Sequence, residues 1–402
     1  MSREQLLVIT ERYWPEGSGG ELATHLILEI LRKEFDIVVL TGTQNPTKLP
    51  GVRYVYEPLL AKEEKVWLWL NASRLASSQR FQKILRKSDV VYIPKFSFPA
   101  IPIAKRFGKN VVVHLHGYIP ISYTATVLAP YEQHRGRITR DDIMMECRKG
   151  LKYCVGISAF WWLPRLAKKW LSQADKIICV SKRQAEIITA LVPELREKIE
   201  ITYNPPQLEL LMEEPKRNPD DIPTFLYVGG DSHIKGFYHV LYAIKRLAKQ
   251  VIKAKLILAG NYGYRNLQLI RDLIQRGNGI QVEVRGRIHQ RTLFTIGQRV
   301  WALLFPSITE EPLPYAVVES LLLGNVPISA AVGGVPEIVS RTPAEHFLFK
   351  PGDAEGFVDK IRELASYTPK DVAIMGTELR QHALKLFNLE NIEKALLKVF
   401  TE

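Results

Sequence analysis

Short runs of β-branched and aliphatic residues recur through the first half of the chain, separated by stretches in which apolar residues have helical spacing. The runs show little polar alternation, which is typical of strands buried on both faces of a parallel sheet. They are LLVIT at 6–10, DIVVLTG at 36–42, DVVYIP at 89–94, NVVVHLHG at 110–117 and DKIICVS at 175–181. This alternation predicts a doubly wound α/β domain that ends near residue 205.

The same pattern restarts after residues 205–224, a segment rich in proline and charge that we interpret as a linker. The second set of runs is TFLYVGG at 224–230, AKLILAG at 254–260, IQVEVRG at 280–286, VWALLFPS at 300–307 and VPISA at 326–330. The last segment, 387–400, has the spacing of an amphipathic helix. We therefore predict two α/β domains, 1–205 and 206–384, followed by a helical segment at 385–402.

Composition limits the class of protein. The chain has 402 residues, of which 46% are apolar, enough for two hydrophobic cores. No run reaches the ~18 consecutive apolar residues of a membrane-spanning helix, and the first residues do not resemble a signal peptide. The three cysteines, Cys147, Cys154 and Cys179, are irregularly spaced, which favours a reducing compartment and argues against a metal cluster. We expect a cytoplasmic protein with no metal site.

Positive charge is concentrated in the first half of the chain. The formal net charge is +13, and residues 1–205 contain 31 Lys and Arg against 20 Asp and Glu. Such an excess attracts polyanions, including anionic membranes, phosphorylated substrates and nucleic acids. Because no nucleic-acid recognition motif accompanies the charge, we expect no nucleic-acid partner.

A glycine-rich stretch, GSGGE, follows the first predicted strand and precedes a helical pattern. Gly17, Gly19 and Gly20 lie where the backbone can approach a phosphate closely and where the helix presents free N–H groups. The stretch is therefore a candidate phosphate-binding loop. The alternative is a flexible turn that binds no ligand.

His114 and His116 end the predicted strand NVVVHLHG. Because side chains alternate along a strand, the two imidazoles should point to the same side. A histidine at the carboxyl end of a strand can hydrogen-bond a ligand or transfer a proton. The alternative is a buried imidazole with a structural hydrogen bond.

The segment VGGDSHIKGF, residues 228–237, follows the first strand of the second predicted domain. Gly229 lies in the turn, and Lys235 precedes Gly236 and a helical pattern. A lysine at such a turn can neutralise a diphosphate. Taken alone, it could equally be an ordinary surface lysine.

Two glutamates, Glu311 and Glu319, lie eight positions apart in EPLPYAVVES. Pro312 predicts a helix that begins there, with Glu311 at its cap and the two carboxylates about 80° apart around the helix axis. Carboxylates can accept hydrogen bonds from the vicinal hydroxyls of a sugar. Solvent exposure is the alternative, but apolar residues surround Glu319, which favours a partly buried side chain with a partner.

These motifs together resemble the retaining GT-B glycosyltransferases of glycosyltransferase family 4. The family signature has two glutamates separated by seven residues, then Gly-x-Pro and Gly-Gly-x-Pro-Glu. Here Glu311 and Glu319 match the glutamates, 324–327 matches Gly-x-Pro with one extra residue, and 333–337 matches the last element. The resemblance covers nearly the full chain. It implies two Rossmann-like domains that face each other across a cleft, with the terminal helix crossing back to the first domain.

The resemblance implies sugar transfer from a nucleotide-sugar donor, UDP- or GDP-linked, with retention of configuration and without a metal ion or other cofactor. Glu319 would hold the ribose hydroxyls, and Glu311 would contact the donor sugar near its reacting carbon. Lys235, in the same turn as Gly229, would neutralise the diphosphate as the bond breaks. The second domain would therefore carry most of the donor site.

In the first domain, the resemblance implies that Gly19 and Gly20 form the loop that offers backbone N–H groups to the distal phosphate. His116 would face the sugar and the acceptor. The predicted catalytic residues are accordingly His116, Lys235 and Glu311, and the predicted donor-binding residues also include Glu319.

The sequence departs from the family pattern at two places. Gly230 stands where the family commonly has an arginine, and we consider Arg285 and Arg287 as replacements. The family's Pro-Phe-Gly after the first glutamate is Pro-Leu-Pro at 312–314, and the second proline has no N–H to offer a donor. Two alternatives therefore stay open: a non-catalytic nucleotide-sugar-binding protein, and another GT-B enzyme such as a sugar-nucleotide epimerase.

Tryptophans accompany basic residues in two segments of the first half, 61–75 and 156–171. They are Trp67, Trp69, Trp161, Trp162 and Trp170. This composition is typical of a surface that lies against a membrane. It suggests peripheral attachment to an anionic leaflet and a lipid-linked or phosphorylated acceptor. The alternative is that the tryptophans belong to the hydrophobic core.

Overall fold

The structure is a computed structural model, and it describes residues 3–61, 64–134, 143–144, 146–147, 150–215, 217–249, 253–275 and 280–402. The chain forms two compact units. Unit 1 comprises residues 1–127, 134–205 and 389–402, and unit 2 comprises residues 128–133 and 206–388. The short segment 128–133 thus belongs to unit 2, although the chain on both sides of it belongs to unit 1.

Unit 1 contains a seven-stranded parallel sheet with the order β3-β2-β1-β4-β5-β6-β7. The strands are β1 Gln5–Thr10, β2 Asp36–Thr41, β3 Arg53–Tyr56, β4 Val90–Ile93, β5 Asn110–Leu115, β6 Lys176–Cys179 and β7 Ile199–Ile201. Nearly all residues of the central strands are buried, because helices cover both faces. The strand order reverses between β1 and β4, and ligands of such sheets bind beside that point.

Unit 2 contains a six-stranded parallel sheet with the order β10-β9-β8-β11-β12-β13. The strands are β8 Thr224–Val228, β9 Ala254–Ala259, β10 Ile280–Arg285, β11 Ala302–Phe305, β12 Val326–Ala330 and β13 Leu348–Phe349. The order again reverses beside the first strand. Both units are therefore doubly wound α/β folds, and the predicted fold class is confirmed.

Helices flank both sheets and are numbered along the whole chain. They are α1 Gly19–Leu31, α2 Lys65–Arg74, α3 Gln79–Lys87, α4 Ala100–Arg106, α5 Tyr131–His134, α6 Leu151–Phe160, α7 Leu163–Leu171, α8 Lys182–Leu191, α9 Leu208–Met212, α10 Phe237–Leu247, α11 Tyr264–Gln275, α12 Gln290–Gly297, α13 Tyr315–Leu322, α14 Val335–Val339, α15 Ala354–Ala365, α16 Pro369–Leu386 and α17 Leu389–Thr401. Short 3₁₀ turns lie at Pro58–Leu60, Leu75–Ser77, Pro193–Lys198, His233–Lys235 and Pro343–Phe347.

The last helix belongs to unit 1. The ring of Phe400 lies 6.4 Å from that of Phe35 and 5.1 Å from that of Tyr92. On the exposed side, Lys33 and Glu393 form an ion pair at 2.8 Å. The chain passes from α16 in unit 2 to α17 in unit 1 within two residues, so the predicted terminal segment 385–402 spans the end of one helix and the whole of the next.

Three local features differ from the sequence interpretation. The helix that carries Glu319 begins at Tyr315 rather than at Pro312, because a residue before a proline is disfavoured in the helical region and Pro314 is itself extended. The presumed linker 205–224 contains α9. Cys147 and Cys154 form a disulfide, a pairing that does not support the interpretation of the cysteines as markers of a reducing compartment.

No helix within the described residues is long and apolar enough to cross a membrane.

Candidate functional site

The glycine loop of unit 1 connects β1 to α1 and is built around a carboxylate of the chain itself. The backbone N–H of Ser18 donates to Glu21 Oε2 at 2.7 Å, and Lys95 forms an ion pair with Glu21 Oε1. Gly17 has a φ of +102°, and a Cβ at this position would lie 2.2 Å from the Glu21 carboxyl carbon. Glycine is therefore required at 17 for both conformation and space.

Gly20 lies beside the imidazole of His116, since a Cβ added to it would be 3.4 Å from that ring. Gly19 is the first residue of α1, so its N–H and that of Gly20 belong to the first helical turn. Glu21 already satisfies the N–H of Ser18. The phosphate-binding role predicted for Gly19 and Gly20 stays a prediction, limited to the donors that Glu21 leaves available.

The two histidines at the end of β5 are stacked with ring centroids 4.2 Å apart. His114 Nδ1 lies 2.8 Å from the Tyr92 hydroxyl. Burial lowers the pKa of His114 well below its usual range, and His116 adds to the effect. Burial and the nearby Lys95 lower the pKa of His116 to about 3. Both imidazoles are therefore neutral at physiological pH.

Among the described residues, the Nε2 atom of His116 is buried and has no hydrogen-bond partner. A buried polar atom of this kind is unfavourable unless a ligand or water satisfies it. A neutral imidazole can either donate or accept at Nε2, depending on its tautomer. His116 thus keeps the features expected of a residue that hydrogen-bonds a ligand.

Glu11, at the end of β1, was not singled out in the sequence. It is 6% exposed and accepts a hydrogen bond from Ser97 Oγ at 3.1 Å. Burial raises its pKa, and the nearby Lys95 partly opposes that effect. Only its place directly after a buried strand could have indicated it.

The first turn of unit 2 has no space for an arginine at position 230, where the family commonly has one. Gly230 has a φ of +56°, and a Cβ there would lie 2.5 Å from the carbonyl oxygen of Asn261. At Gly229, a Cβ would lie 2.3 Å from the Tyr227 hydroxyl. The turn is packed against the backbone of the next loop, so no residue with a side chain fits at 230 without rearrangement.

Of the two proposed replacements, Arg285 already has an acidic partner. Arg285 Nε lies 2.5 Å from Glu283 Oε1, and Glu283 also pairs with Lys255 at 2.8 Å. Arg287 is exposed in the loop that follows β10. The structure gives Arg285 a carboxylate partner on its own strand.

Lys235 and Glu311 are brought together in unit 2. Lys235 Nζ lies 2.7 Å from Glu311 Oε1, with the two side chains 37% and 18% exposed. Ser307 Oγ and Thr309 Oγ1 approach the same carboxylate oxygen at 3.3 and 3.4 Å. The close approach of the chain depends on Gly236, because a Cβ there would lie 1.8 Å from the Pro306 carbonyl oxygen.

Glu319 lies within α13 and is mostly buried, one helical turn beyond the start of that helix. Gln290 Nε2 donates to Glu319 Oε1 at 3.3 Å. Burial raises the pKa of Glu319 to about 7, and the hydrogen bond from Gln290 partly opposes the rise. Glu311, in contrast, lies in the loop before the helix, so the angle of about 80° predicted for one continuous helix does not apply.

No group of three or more His, Cys, Asp or Glu side chains that could hold a metal ion is found in the part of the chain that the structure describes.

Two family models match the sequence one after the other. The model described as Glycosyltransferase Family 4 matches residues 18–210, and the model described as Glycosyl transferases group 1 matches residues 211–380. Together they cover most of the chain. No curated protein matches the sequence at a significant level.

Several solved structures share the architecture over nearly the whole chain. Sucrose-phosphate synthase from Thermosynechococcus elongatus has a TM-score of 0.73 and 17% identity, covering 99% of this chain and 98% of that one. HepE from Anabaena, solved with UDP and glucose, has a TM-score of 0.67 and 16% identity, covering 98% and 99%. WaaG, a glycosyltransferase involved in lipopolysaccharide biosynthesis, has a TM-score of 0.66 and 13% identity, covering 99% and 100%. At these identities the likeness shows the fold alone.

Proposed function

We propose that this chain, which belongs to the glycosyl transferases group 1 and is a glycosyltransferase with the GT-B fold, moves a sugar from a nucleotide-sugar donor to an acceptor with retention of configuration and without a metal ion. The observation that carries the proposal is the Lys235–Glu311 pair at 2.7 Å, with Glu319 on the helix that follows. We thereby assign the neutralisation of the diphosphate and the contact with the donor sugar to two neighbouring side chains of unit 2.

Lys235 supplies the positive charge that the reaction needs. When the bond from the sugar to the diphosphate breaks, negative charge grows on the diphosphate, and a prearranged cation lowers the barrier. The donor diphosphate replaces Glu311 as the partner of Lys235, and this exchange frees the Glu311 carboxylate. Glu311 then accepts hydrogen bonds from sugar hydroxyls, and Thr309 Oγ1 lies 3.4 Å from its carboxylate.

Glu319 binds the ribose hydroxyls through its carboxylate. A mostly buried carboxyl that accepts a 3.3 Å hydrogen bond from Gln290 on one oxygen has acceptor capacity left for a vicinal diol. HepE, solved with UDP and glucose, makes UDP-glucose the first donor to test, and GDP-sugars the second. The roles predicted for Gly19, Gly20, Gly229 and His116 remain predictions.

A thermal-shift panel of UDP-, GDP- and ADP-glucose on the wild type and on Glu319→Ala tests this proposal. We expect one nucleotide sugar to raise the melting temperature of the wild type by mass action and to lose that effect in the variant. If no nucleotide sugar shifts the wild type, the result contradicts both the proposed function and the alternative of a non-catalytic nucleotide-sugar-binding protein.

We also propose that unit 1 lies against an anionic membrane and that the acceptor is lipid-linked or phosphorylated. The five tryptophans do not form one surface. Trp69 is 3% exposed and packs against Trp170 at 5.0 Å, so these two support the core, whereas Trp67 and Trp161 are 59% and 48% exposed. Arg165 lies 4.8 Å from the Trp161 ring, which places a cation beside an exposed aromatic.

Exposed apolar residues on α6 extend the surface around Trp67 and Trp161. Lys152, on α6, pairs with Glu64 at the start of α2 at 3.1 Å, which brings the beginnings of the two helices side by side. Leu151 on α6 is 81% exposed and Val155 is 58% exposed. Exposed apolar residues surrounded by lysine and arginine are typical of a surface that binds an anionic membrane. WaaG, with its role in lipopolysaccharide biosynthesis, has the same fold.

Flotation with phosphatidylcholine vesicles, with and without phosphatidylglycerol, tests the membrane proposal. We expect salt-sensitive binding to the anionic vesicles, lost when Leu151 and Val155 are both changed to Glu. Ile374→Glu is the matched control, because Ile374 is 60% exposed but lies in unit 2. Equal flotation of the double variant and the control would contradict this surface.

A further inference from the structure

Glu310, the neighbour of Glu311, is almost fully buried, with 3% of its surface exposed. Its Oε1 accepts a hydrogen bond from the backbone N–H of Tyr131 at 2.8 Å, and its Oε2 accepts one from the N–H of Gly333 at 2.6 Å. The two donors lie in different segments of unit 2. One carboxylate therefore joins three separate pieces of the chain.

The first of these pieces is the segment 128–133. Leu128 forms an antiparallel bridge with Thr309, and Ala129 N–H donates to the Ile308 carbonyl at 2.9 Å. The bond from the Tyr131 N–H to the Glu310 side chain lies outside this register, because antiparallel pairing would bring Tyr131 opposite residue 306. The segment is therefore held to the loop 307–311 at two places, by the backbone pairing and by the Glu310 carboxylate.

The second piece is the turn at 333–334. The N–H of Gly334 donates to the Glu311 carbonyl at 3.0 Å. Gly333 has a φ of +50°, and a Cβ there would lie 1.7 Å from that same carbonyl oxygen. The turn therefore lies directly against the backbone of Glu311, and its orientation depends on the bond from Gly333 to Glu310.

On its other side, the loop contacts the turn that carries Lys235. Ile308 N–H donates to the Ile234 carbonyl at 3.1 Å, and Ser307 Oγ donates to the same oxygen at 3.0 Å. The loop 307–311 consequently determines where Glu311 lies relative to Lys235. Any shift of the loop changes the 2.7 Å separation of the pair.

We propose that Glu310 is a positioning residue that holds the loop 307–311 in the geometry needed for donor cleavage. The proposal rests on the proposed function, since it is there that Lys235 and Glu311 act on the donor. A carboxylate suits this place because both backbone N–H groups point at it and each needs an acceptor. An amide of the same shape has one acceptor oxygen and one NH₂ group, so one N–H loses its partner.

Glu310→Gln is the variant of choice, because it keeps the volume of the side chain and changes only its hydrogen-bonding capacity. Asp353→Asn is the matched control in the same unit. Asp353 also accepts a backbone N–H, that of Gly356 at 2.9 Å, but caps α15. Both changes turn a carboxylate that accepts a backbone N–H into an amide, but the amide oxygen at 353 can still accept its one bond, whereas the amide at 310 leaves one of two N–H groups without an acceptor.

The first measurement is hydrogen exchange without any ligand, read by mass spectrometry over residues 128–134 and 330–336. We expect Glu310→Gln to speed exchange at least about tenfold in one of the two segments, since a hydrogen bond to a carboxylate is lost. Asp353→Asn should leave both segments unchanged. Unchanged exchange in Glu310→Gln would overturn the proposal.

The second measurement is release of UDP from UDP-glucose, or of the nucleotide from whichever panel sugar stabilises the wild type. Glu310→Gln should lower kcat about 10- to 100-fold in folded protein, as expected for a displaced loop, with a smaller change in KM. A lowered melting temperature with unchanged kcat would make Glu310 merely structural and overturn the positioning role. If the wild type binds no nucleotide sugar, the proposed function and the positioning role fail together, while the exchange data still show whether Glu310 holds the loop.

Discussion

The two units have the same kind of sheet, yet each arranges a lysine and a glutamate differently at the carboxyl end of its strands. In unit 1, Lys95 and Glu21 are 14% and 1% exposed, and the glutamate completes the glycine loop. In unit 2, Lys235 and Glu311 are 37% and 18% exposed. The first pair is structural, because its charges already satisfy each other and the loop. In the proposed function, the second pair exchanges its partner for the donor diphosphate. We infer that exposure, rather than topology, is what distinguishes the two pairs.

Burial acts in opposite directions on the titratable groups of the two units. In unit 1 it lowers the pKa of His116 to about 3, which keeps the imidazole neutral. In unit 2 it raises the pKa of Glu319 to about 7, which brings a carboxyl into the physiological range. The same physical cause therefore removes a pH response from one unit and creates one in the other.

Replacement of Lys235 should give the largest functional effect. Lys235→Met removes the only diphosphate cation that we assign in unit 2, and we expect the rate of nucleotide release from the donor to fall about 10²- to 10³-fold. Arg285→Met is the control, because Arg285 is already paired with Glu283. Comparable losses in both variants would mean that Arg285 replaces the arginine absent at Gly230, and the comparison of the two edges would need revision.

A pair of glycine substitutions in unit 1 should show which glycine the folded loop requires. Gly17→Ala meets the Glu21 carboxylate at a φ of +102°, and we expect it to lower the free energy of unfolding by about 1–3 kcal/mol. Gly20→Ala places its methyl at an ordinary 3.4 Å from His116, and its stability should stay within about 0.5 kcal/mol. Urea unfolding of both variants makes the comparison. Equal stabilities would show that Glu21 does not fill the loop.

Much of the fold could be predicted from the sequence, because strands buried on both faces leave continuous apolar runs. The elements that sequence reasoning missed are short or at an edge of a sheet. β7 and β13 have three and two residues, and β3 lies at the end of its sheet. β3 and β7 are only partly buried, so their short sequences carry no clear hydrophobic pattern.

Sequence motifs could predict those site residues whose role depends on their residue type. They could not predict the contacts that depend on packing. Lys235 and Glu311 were found by their motifs, but their ion pair was not. Gly230 reads as a missing arginine in the sequence, whereas the structure shows that Asn261 leaves no space for a side chain. Glu310 is indistinguishable in sequence from a second exposed glutamate beside Glu311. Only long-range contacts, with Tyr131 and Gly333, reveal it.

Glu319→Gln should have a moderate effect with a distinct pH dependence. The folded protein binds a proton at Glu319 up to pH about 7, whereas in the unfolded chain the carboxyl has its usual value of 4.5. The wild type should therefore lose stability relative to the variant as the pH rises from 4.5 to about 7. Affinity for UDP should change in the other direction, rising through pH 7 as the carboxylate forms and becomes an acceptor for the ribose hydroxyls.

Calorimetric titration of UDP at pH 6 and pH 8 tests the ligand part of this prediction. We expect the wild type to bind several-fold more tightly at pH 8, and the Gln variant to bind about tenfold more weakly than the wild type there, with no pH dependence in this range. A Gln variant that keeps the wild-type pH profile would show that another group titrates and would remove Glu319 from the ribose-binding role.

The smallest expected effect concerns His116 in unit 1, which should contribute no ionisation to the pH dependence of kcat. Because the pKa of His116 is lowered to about 3, the imidazole does not change charge between pH 5 and pH 8. The pH dependence of kcat should therefore be the same in the wild type and in His116→Gln, even if the variant is slower at every pH. The change to Gln keeps a hydrogen-bonding side chain without an imidazole, so it separates loss of a contact from loss of a titrating group. If the wild-type profile has an inflection near pH 6.5 that His116→Gln removes, then a bound substrate has restored the charge of His116, and this imidazole acts as an acid or base rather than as a neutral hydrogen-bonding group.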